Sequence, residues 1–280
     1  MRMPASSTTP EFPSGHPPGP AGIHPRVSDD HRRVFETVER DYWAEAAGLK
    51  PDERALIERY LDPAASTLEA GTGGGRLLGE MSRLGFRSLA GFDFVPELID
   101  EARRADATGE IRYDVQDARR LTYPDASFDQ VLYLQQLLSS IEDPTDRAGV
   151  VRESVRVLRP GGVGLFSVLP FDVRSRSAAF RPYLLYLRGL RRLRGTHRPD
   201  QLLPRMRMRG RVHPAALYDA GPHVYWYRTE EIERELTGAG FELVAIGTTP
   251  QVVADAMPDS AAGLRGQRLD GTLYIACRKP

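Results

Sequence analysis

Large apolar residues recur along this chain in two rhythms. Near the start, Val34, Val38 and Tyr42 lie four apart, and after Pro51 the set Leu56, Ile57, Tyr60 and Leu61 has helical spacing. Pro63 ends that helix. Short apolar runs then alternate with amphipathic ones. "STLEA" (66–70) predicts a strand, and "GRLLGEMSRLG" (75–85) a helix closed by Gly85. "SLAGFD" (88–93) predicts a strand, and "PELIDEARR" (96–104) a helix with Pro96 in its first turn. Residues 111–115 and 128–134 predict strands, 146–158 a helix and 162–169 a strand. After a long interruption, 229–241 predicts a helix starting at Thr229, and 242–248 and 271–279 predict two last strands. Repeated strand–helix alternation implies an α/β fold with a mostly parallel sheet and helices on both faces. Residues 1–30, as in "TTPEFPSGHPPGPAG", hold almost no large apolar side chains and predict a disordered tail. That leaves 31–280 as one domain, ample for a core.

Composition narrows the partners little. Lys+Arg and Asp+Glu are both 38, so net charge points to neither nucleic acid nor membrane. One cysteine, Cys277, excludes an intrachain disulfide and zinc–cysteine clusters, and no metal is expected. Cys277 falls in the last predicted strand as a small core residue. No apolar run approaches the roughly 20 residues of a membrane-spanning helix. Met1–Asp30 lacks the apolar stretch of a secretory signal, so a cytoplasmic location is expected by default.

Chemistry concentrates where the first predicted strand meets a helix, at Glu69-Ala70-Gly71-Thr72-Gly73-Gly74-Gly75-Arg76. Glycines there permit a tight turn and close approach of backbone to a ligand. A dinucleotide fingerprint beginning at Gly71 would need glycine at position 76, which is Arg76. A phosphate-binding P-loop would need Gly-Lys-Ser/Thr, which does not follow. The pattern is E-x-G-x-G-x-G. Asp93 ends the next strand, where an acid can accept from both hydroxyls of a ribose. "DVQDARRLTYPDASFDQVLYL" follows, and then "RVLRPGGVGLFSV" (156–168), a helix, a Pro-Gly-Gly turn and a strand.

In this order and spacing, these strings resemble the class I S-adenosylmethionine-dependent methyltransferases, in their small-molecule branch. The resemblance covers about 64–170 and 229–280. It implies a three-layer sandwich with a seven-stranded sheet of order 3-2-1-4-5-7-6, the last strand antiparallel, plus N-terminal helices and a cap insertion. It implies S-adenosyl-L-methionine as cofactor. Glu69, Gly71, Gly73 and Gly75 would belong to the loop around its methionine part, and Asp93 would bind the ribose. Phe94 would lie against adenine, Asp117 would accept from its amino group, and Ala118 would pack beside it. Leu134 and Gln135 would border the methyl group. Tyr42 closes over the cofactor or packs in the core, and Arg76 approaches the cofactor carboxylate or is solvated; these readings stay open. The run after strand four is Gln135-Gln136-Leu137-Leu138-Ser139-Ser140. Without an Asp/Asn-Pro-Pro-Tyr/Phe motif there, amino-methylation of nucleic-acid bases is not expected.

Residues 171–213 carry twelve arginines against Asp172 and Asp200, a net charge of +10. Four readings of the 171–227 insertion stay open. It is a packed cap with solvated arginines, or a lid whose arginines hold a carboxylate or phosphate. It is a membrane-surface helix through 178–195 that collects a lipid-like substrate, or, ranked last, a nucleic-acid surface. The expected reaction is transfer of a methyl group to an oxygen, nitrogen or carbon nucleophile of a small molecule, acidic or lipid-like. His223 is the first candidate for a general base, followed by Tyr225 and His213. Two rival functions share the same loop: use of the cofactor's aminobutyrate arm, and cofactor binding without catalysis.

Overall fold

The computed structural model describes residues 48–208 and 211–280. The tail expected at 1–30 and the helix expected around Val34, Val38 and Tyr42 lie outside the described residues.

Helix α1 (Pro51–Tyr60) opens with Pro51 and with Asp52 and Glu53 in its first turn, where acids suit the N-terminal end of a helix. Strand β1 (Ser66–Ala70) and strand β2 (Ser88–Asp93) are buried along their whole length, as central strands of a sheet covered on both faces must be. Between them runs α2 (Arg76–Arg83), which buries Leu77, Leu78 and Met81. A Cβ on Gly91 would come within 2.7 Å of Leu78, so glycine lets α2 press onto β2. Then follow α3 (Pro96–Ala105), β3 (Arg112–Val115), β4 (Phe128–Tyr133) and α4 (Pro144–Val157). Asp143 caps α4 by accepting from the amides of Thr145 and Asp146.

Strand β5 (Leu158–Pro170) begins directly after α4. The expected Pro-Gly-Gly turn is therefore a bulge inside a longer strand: pairing with β4 jumps from Phe128↔Leu158 to Gln130↔Val163. Gly161, at φ +77°, makes this feasible, and its amide donates to the Lys279 carbonyl at 2.7 Å.

The insertion contributes α5 (Phe171–Arg176), α6 (Arg181–Leu193) and β6 (Leu202–Pro204). A short hairpin, β7 (Arg207–Met208) and β8 (Arg211–Val212), and β9 (His223–Tyr227) complete it. The chain closes with α7 (Thr229–Gly238), β10 (Glu242–Thr248), α8 (Thr249–Val253) and β11 (Leu273–Arg278).

The sheet path is β10-β11-β5-β4-β1-β2-β3. β11 is antiparallel to both of its neighbours. Counted from the other edge, this is the expected 3-2-1-4-5-7-6. The insertion adds two strands: β9 pairs parallel with the end of β5, through Leu169↔Trp226 and Pro170↔Tyr227, and β6 pairs antiparallel with β9. "HVYWY" carries the aromatic and β-branched residues that favour such a strand. One face of the main sheet packs under α4 and α7 around Tyr133, Phe166, Tyr227, Ile232 and Leu236. The other packs under α1, α2 and α3 around Leu56, Leu78, Ile99 and Leu165.

Candidate active site

At the carboxyl ends of β1 and β2 the chain folds into a cradle. The Thr72 amide donates to the Phe92 carbonyl at 3.0 Å, pinning the loop to the end of β2. The Thr72 hydroxyl donates to Glu69 Oε2 at 2.7 Å. Gly71 (φ +66°) and Gly73 (φ +55°) hold left-handed backbone that side chains resist. The Gly73 amide donates to Asp93 Oδ2 at 3.1 Å, and the Val95 amide to Asp93 Oδ1 at 3.0 Å. Gly75 has a packing reason of its own: a Cβ there would stand 2.6 Å from the Tyr113 hydroxyl.

Both carboxyls of the cradle are buried. Burial pushes Glu69 up to about 8, against the pull of the Thr72 hydroxyl and the Arg76 charge. Burial likewise lifts Asp93 to about 6, against the amides of Val95, Gly73 and Phe94. Surroundings that make two acids costly to ionise are complementary to a ligand carrying positive charge and hydroxyl donors.

Along the same sheet edge, the Gln116 amide donates to the Asp93 carbonyl at 3.0 Å, which brings the following Asp117 beside the cradle. The guanidinium of Arg119 grips both oxygens of Asp117 (3.0 and 2.6 Å) and reaches Asp146 at 2.9 Å. Ala118 is partly buried against the core and Phe94 is half-buried. After β4, Leu134 is buried, while Gln135 and Gln136 both take left-handed backbone, φ +56° and +58°. Two successive non-glycine residues in that region store strain of roughly 1–3 kcal/mol each. Their partners hold them. The Gln135 side chain donates to Glu53 Oε1, and the Gln136 amide donates to the Ser167 hydroxyl at 3.0 Å.

Glu53, which sequence reasoning missed, is the hub of this end. It is 1% exposed, and Arg76 forks onto it at 2.8 and 3.0 Å. Burial raises its pKa, but the Arg76 fork and the Lys50 amide outweigh that and hold it below the usual range. Arg76 is thus neither solvated nor confined to the loop, since it ties α1 to the cradle. An acid in a helix's first turn was the only signal, and it is one that most helices share.

The three base candidates lie in the 171–227 segment, and the His223 amide donates to Glu142 Oε1 at 3.3 Å. Nε2 of His223 meets Arg198 at 2.7 Å and Asp219 at 3.3 Å. Burial, then the Arg198 charge, lowers its pKa. The Tyr225 hydroxyl donates to Glu231, and Arg147 lies 3.7 Å over its ring. The His213 ring packs near Gly221. Strand alternation explains why the aromatic run does not point one way: Tyr225 and Tyr227 enter the α4–α7 core and Trp226 faces the other side. Tyr42 lies outside the described residues.

Residues 68–166 match the model of a methyltransferase domain. The ubiquinone biosynthesis O-methyltransferase of Xanthomonas axonopodis is 32% identical over 192 residues, 63% of this chain and 77% of that protein. The chain belongs to the S-adenosylmethionine-dependent methyltransferases. The 27-O-demethylrifamycin SV methyltransferase of Amycolatopsis mediterranei is 31% identical over 148 residues, 48% of this chain and 53% of that protein, so the match spans about half of its length. In fold, a methyltransferase structure from Methanosarcina mazei superposes with a TM-score of 0.60 at 21% identity, covering 80% of this chain and 96% of that one.

S-adenosylmethionine, the cofactor of this family, fits the cradle by the chemistry of its donors and acceptors. It is cationic and its ribose carries two hydroxyls, and the cradle offers buried Glu69 and Asp93 on backbone that only glycine relaxes. None of the described helices is long and apolar enough to cross a membrane.

Proposed function

We propose that this methyltransferase acts in the cytoplasm on an oxygen of a small-molecule acceptor held between the cofactor cradle and the 171–227 cap. The observation carrying this reading is the graft of β9 onto the end of β5, which sets the cap beside the strained Gln135–Gln136 turn. The names of the two relatives, both enzymes acting on small molecules, support the acceptor class. When bound, the cofactor supplies a methyl group on a sulfonium, and the bonding pair leaves with sulfur.

The chain's own residues position and desolvate. Glu69, Gly71 and Gly73 hold the methionine part, and Gly75 keeps the loop close to Tyr113. Asp93 accepts from the ribose. Phe94, Asp117 and Ala118 surround the adenine, and Leu134 and Gln135 border the methyl end, with Tyr42 as a further contact. Catalysis then rests on orientation in a dry site. His223 and Tyr225 serve the cap's own architecture, since Nε2 of His223 lies against Arg198 and Asp219 and the Tyr225 hydroxyl donates to Glu231.

The test is product analysis with calorimetry. Turnover should leave S-adenosylhomocysteine, and Gly73→Arg should abolish binding of that product. Methylthioadenosine as product would instead favour use of the aminobutyrate arm.

Residues 178–195 also support peripheral contact with a membrane. Leu185, Tyr186 and Leu193 of α6 are 63%, 47% and 88% exposed beside Arg181, Arg188 and Arg192. Co-sedimentation with anionic vesicles should fall when Leu185 and Leu193 are both changed to Ser; unchanged co-sedimentation contradicts this contact.

A further inference from the structure

Two arginines of α6 are ion-paired. Arg188 pairs with Asp200 at 2.6 Å, and Arg191 with Asp219 at 2.7 Å. Arg174 differs. Its guanidinium carbon lies 4.0 Å from the ring centroid of Phe180 and 4.5 Å from that of Trp226. Among the described residues its side chain has no carboxylate partner and no oxygen acceptor for its N–H groups. The nearest acid in sequence, Asp172, is occupied in capping the Thr229 amide at 3.0 Å. Burial is the main influence on Arg174 and pushes its pKa down. A cation held partly out of water with no counter-charge costs free energy. Two flanking rings offset part of that cost by cation–π attraction, but they satisfy none of the five N–H donors of a guanidinium.

Its placement says what those donors serve. Arg174 lies on α5, which continues directly from the end of β5. Trp226 stands opposite Leu169, and Leu169 lies two residues from Ser167, on the same face of β5. Ser167 holds the Gln136 amide at 3.0 Å. Arg174, beside Trp226, therefore lies on the same side of β5 as Ser167 and the Gln136 turn, while Tyr225 and Tyr227 point away from it into the core.

We propose that Arg174 is the recognition residue for an anionic group, a carboxylate or phosphate, on the methyl acceptor. Phe180 and Trp226 fix the plane of the guanidinium and its unfilled fork of donors grips two oxygens, an arrangement that lysine would not reproduce. The cap thereby selects an acceptor that carries an acidic group as well as the nucleophilic oxygen. This inference rests on the reading of the cap as the acceptor's site.

The test uses full-length protein saturated with S-adenosylhomocysteine and titrated calorimetrically with 4-hydroxybenzoate, phenyl phosphate and uncharged 4-hydroxybenzamide. At least one of the two acids should bind roughly tenfold or more tighter than the amide. Arg174→Gln should erase that preference, and Arg174→Lys should restore part of it. Binding of S-adenosylhomocysteine should be the same in all three proteins. Equal affinity for acids and amide, no binding of either acid to the unsubstituted protein, or a preference that survives Arg174→Gln would overturn the proposal. Failure of S-adenosylhomocysteine itself to bind would instead overturn the cofactor reading, so the two failures are distinguishable.

Discussion

Glu69 is the residue whose environment most departs from what a carboxylate prefers. In water it would ionise near 4.3, whereas burial holds it at about 8 in the folded protein, with Asp93 at about 6. These two groups therefore bind more protons in the folded state than in the unfolded one between these values, and their contribution to stability falls as pH rises through that window. The melting temperature of ligand-free protein should decline from about pH 5 to about pH 8, and Glu69→Gln should flatten part of the decline. A melting temperature that rises over that range contradicts the assignment. His223 makes an opposite kind of statement. Its neutral ring accepts from Arg198, so His223→Ala should loosen the cap and raise the acceptor KM. The cofactor Kd should stay within about twofold, as for sites without shared partners. A collapse of kcat at unchanged KM would return His223 to the role of base.

At the scale of the element, the cap is built by ion pairing as well as by apolar packing. Helix α6 buries Leu184 and Leu187 and, one turn further along the same side, Arg191. The Arg191 side chain is 6% exposed and its partner Asp219 5%. Arg191 also donates to the carbonyls of Pro199 and Leu202, so it ties α6 to β6. Breaking a buried pair by removing one partner costs about 3–5 kcal/mol, because the other charge is stranded. Asp219→Ala should lower stability by that order in urea unfolding, and an Arg191→Met/Asp219→Leu double variant should recover much of the loss. If the single variant were neutral, the pair would not hold the cap.

The same helix shows why the element's role was not legible beforehand. Along 178–195 alone, leucines fall on one side of a helix and most arginines on another, with Arg191 as a flaw on the apolar side. It is no flaw, because Asp219, 28 residues away, meets it there. A pattern read along one helix cannot contain a partner supplied by another segment. For the same reason the local order of "HVYWY" does not say which face each ring reaches. Strand pairing with β5 sends Tyr225 and Tyr227 into the core and leaves Trp226 on the other face beside Arg174.

For the whole molecule, the cradle joins α1, β1, β2 and β4 through Arg76, Glu53 and Gln135, so cofactor binding should be felt by the entire domain. A ligand that binds only the folded state adds about 2.7 kcal/mol at 100 times its Kd. S-adenosylhomocysteine at that level should raise the melting temperature of the whole domain in one transition. It should do nothing for Gly73→Arg. A second, unshifted transition would mean that the cap melts apart from the cradle.

Taken alone, the order of residues determined the parts that depend on neighbours in the chain. Short runs with an apolar centre such as 88–93, glycines between a strand and a helix, and an acid at the end of the next strand are local signals, because backbone preference and burial act over a few residues. They located β1, β2, α2 and the cradle within a residue or two, and the family's pattern supplied the strand order. Only tertiary structure decided the rest. Glu53 became the hub because Arg76 and Gln135 converge on it from distant segments. The Pro-Gly-Gly turn became a bulge because Lys279 pairs with Gly161 and Gly162. Arg174 was set apart from Arg188 and Arg191, the ion-paired arginines of α6, by what surrounds it, and charge, burial and hydrogen-bond partners are properties of neighbours in space.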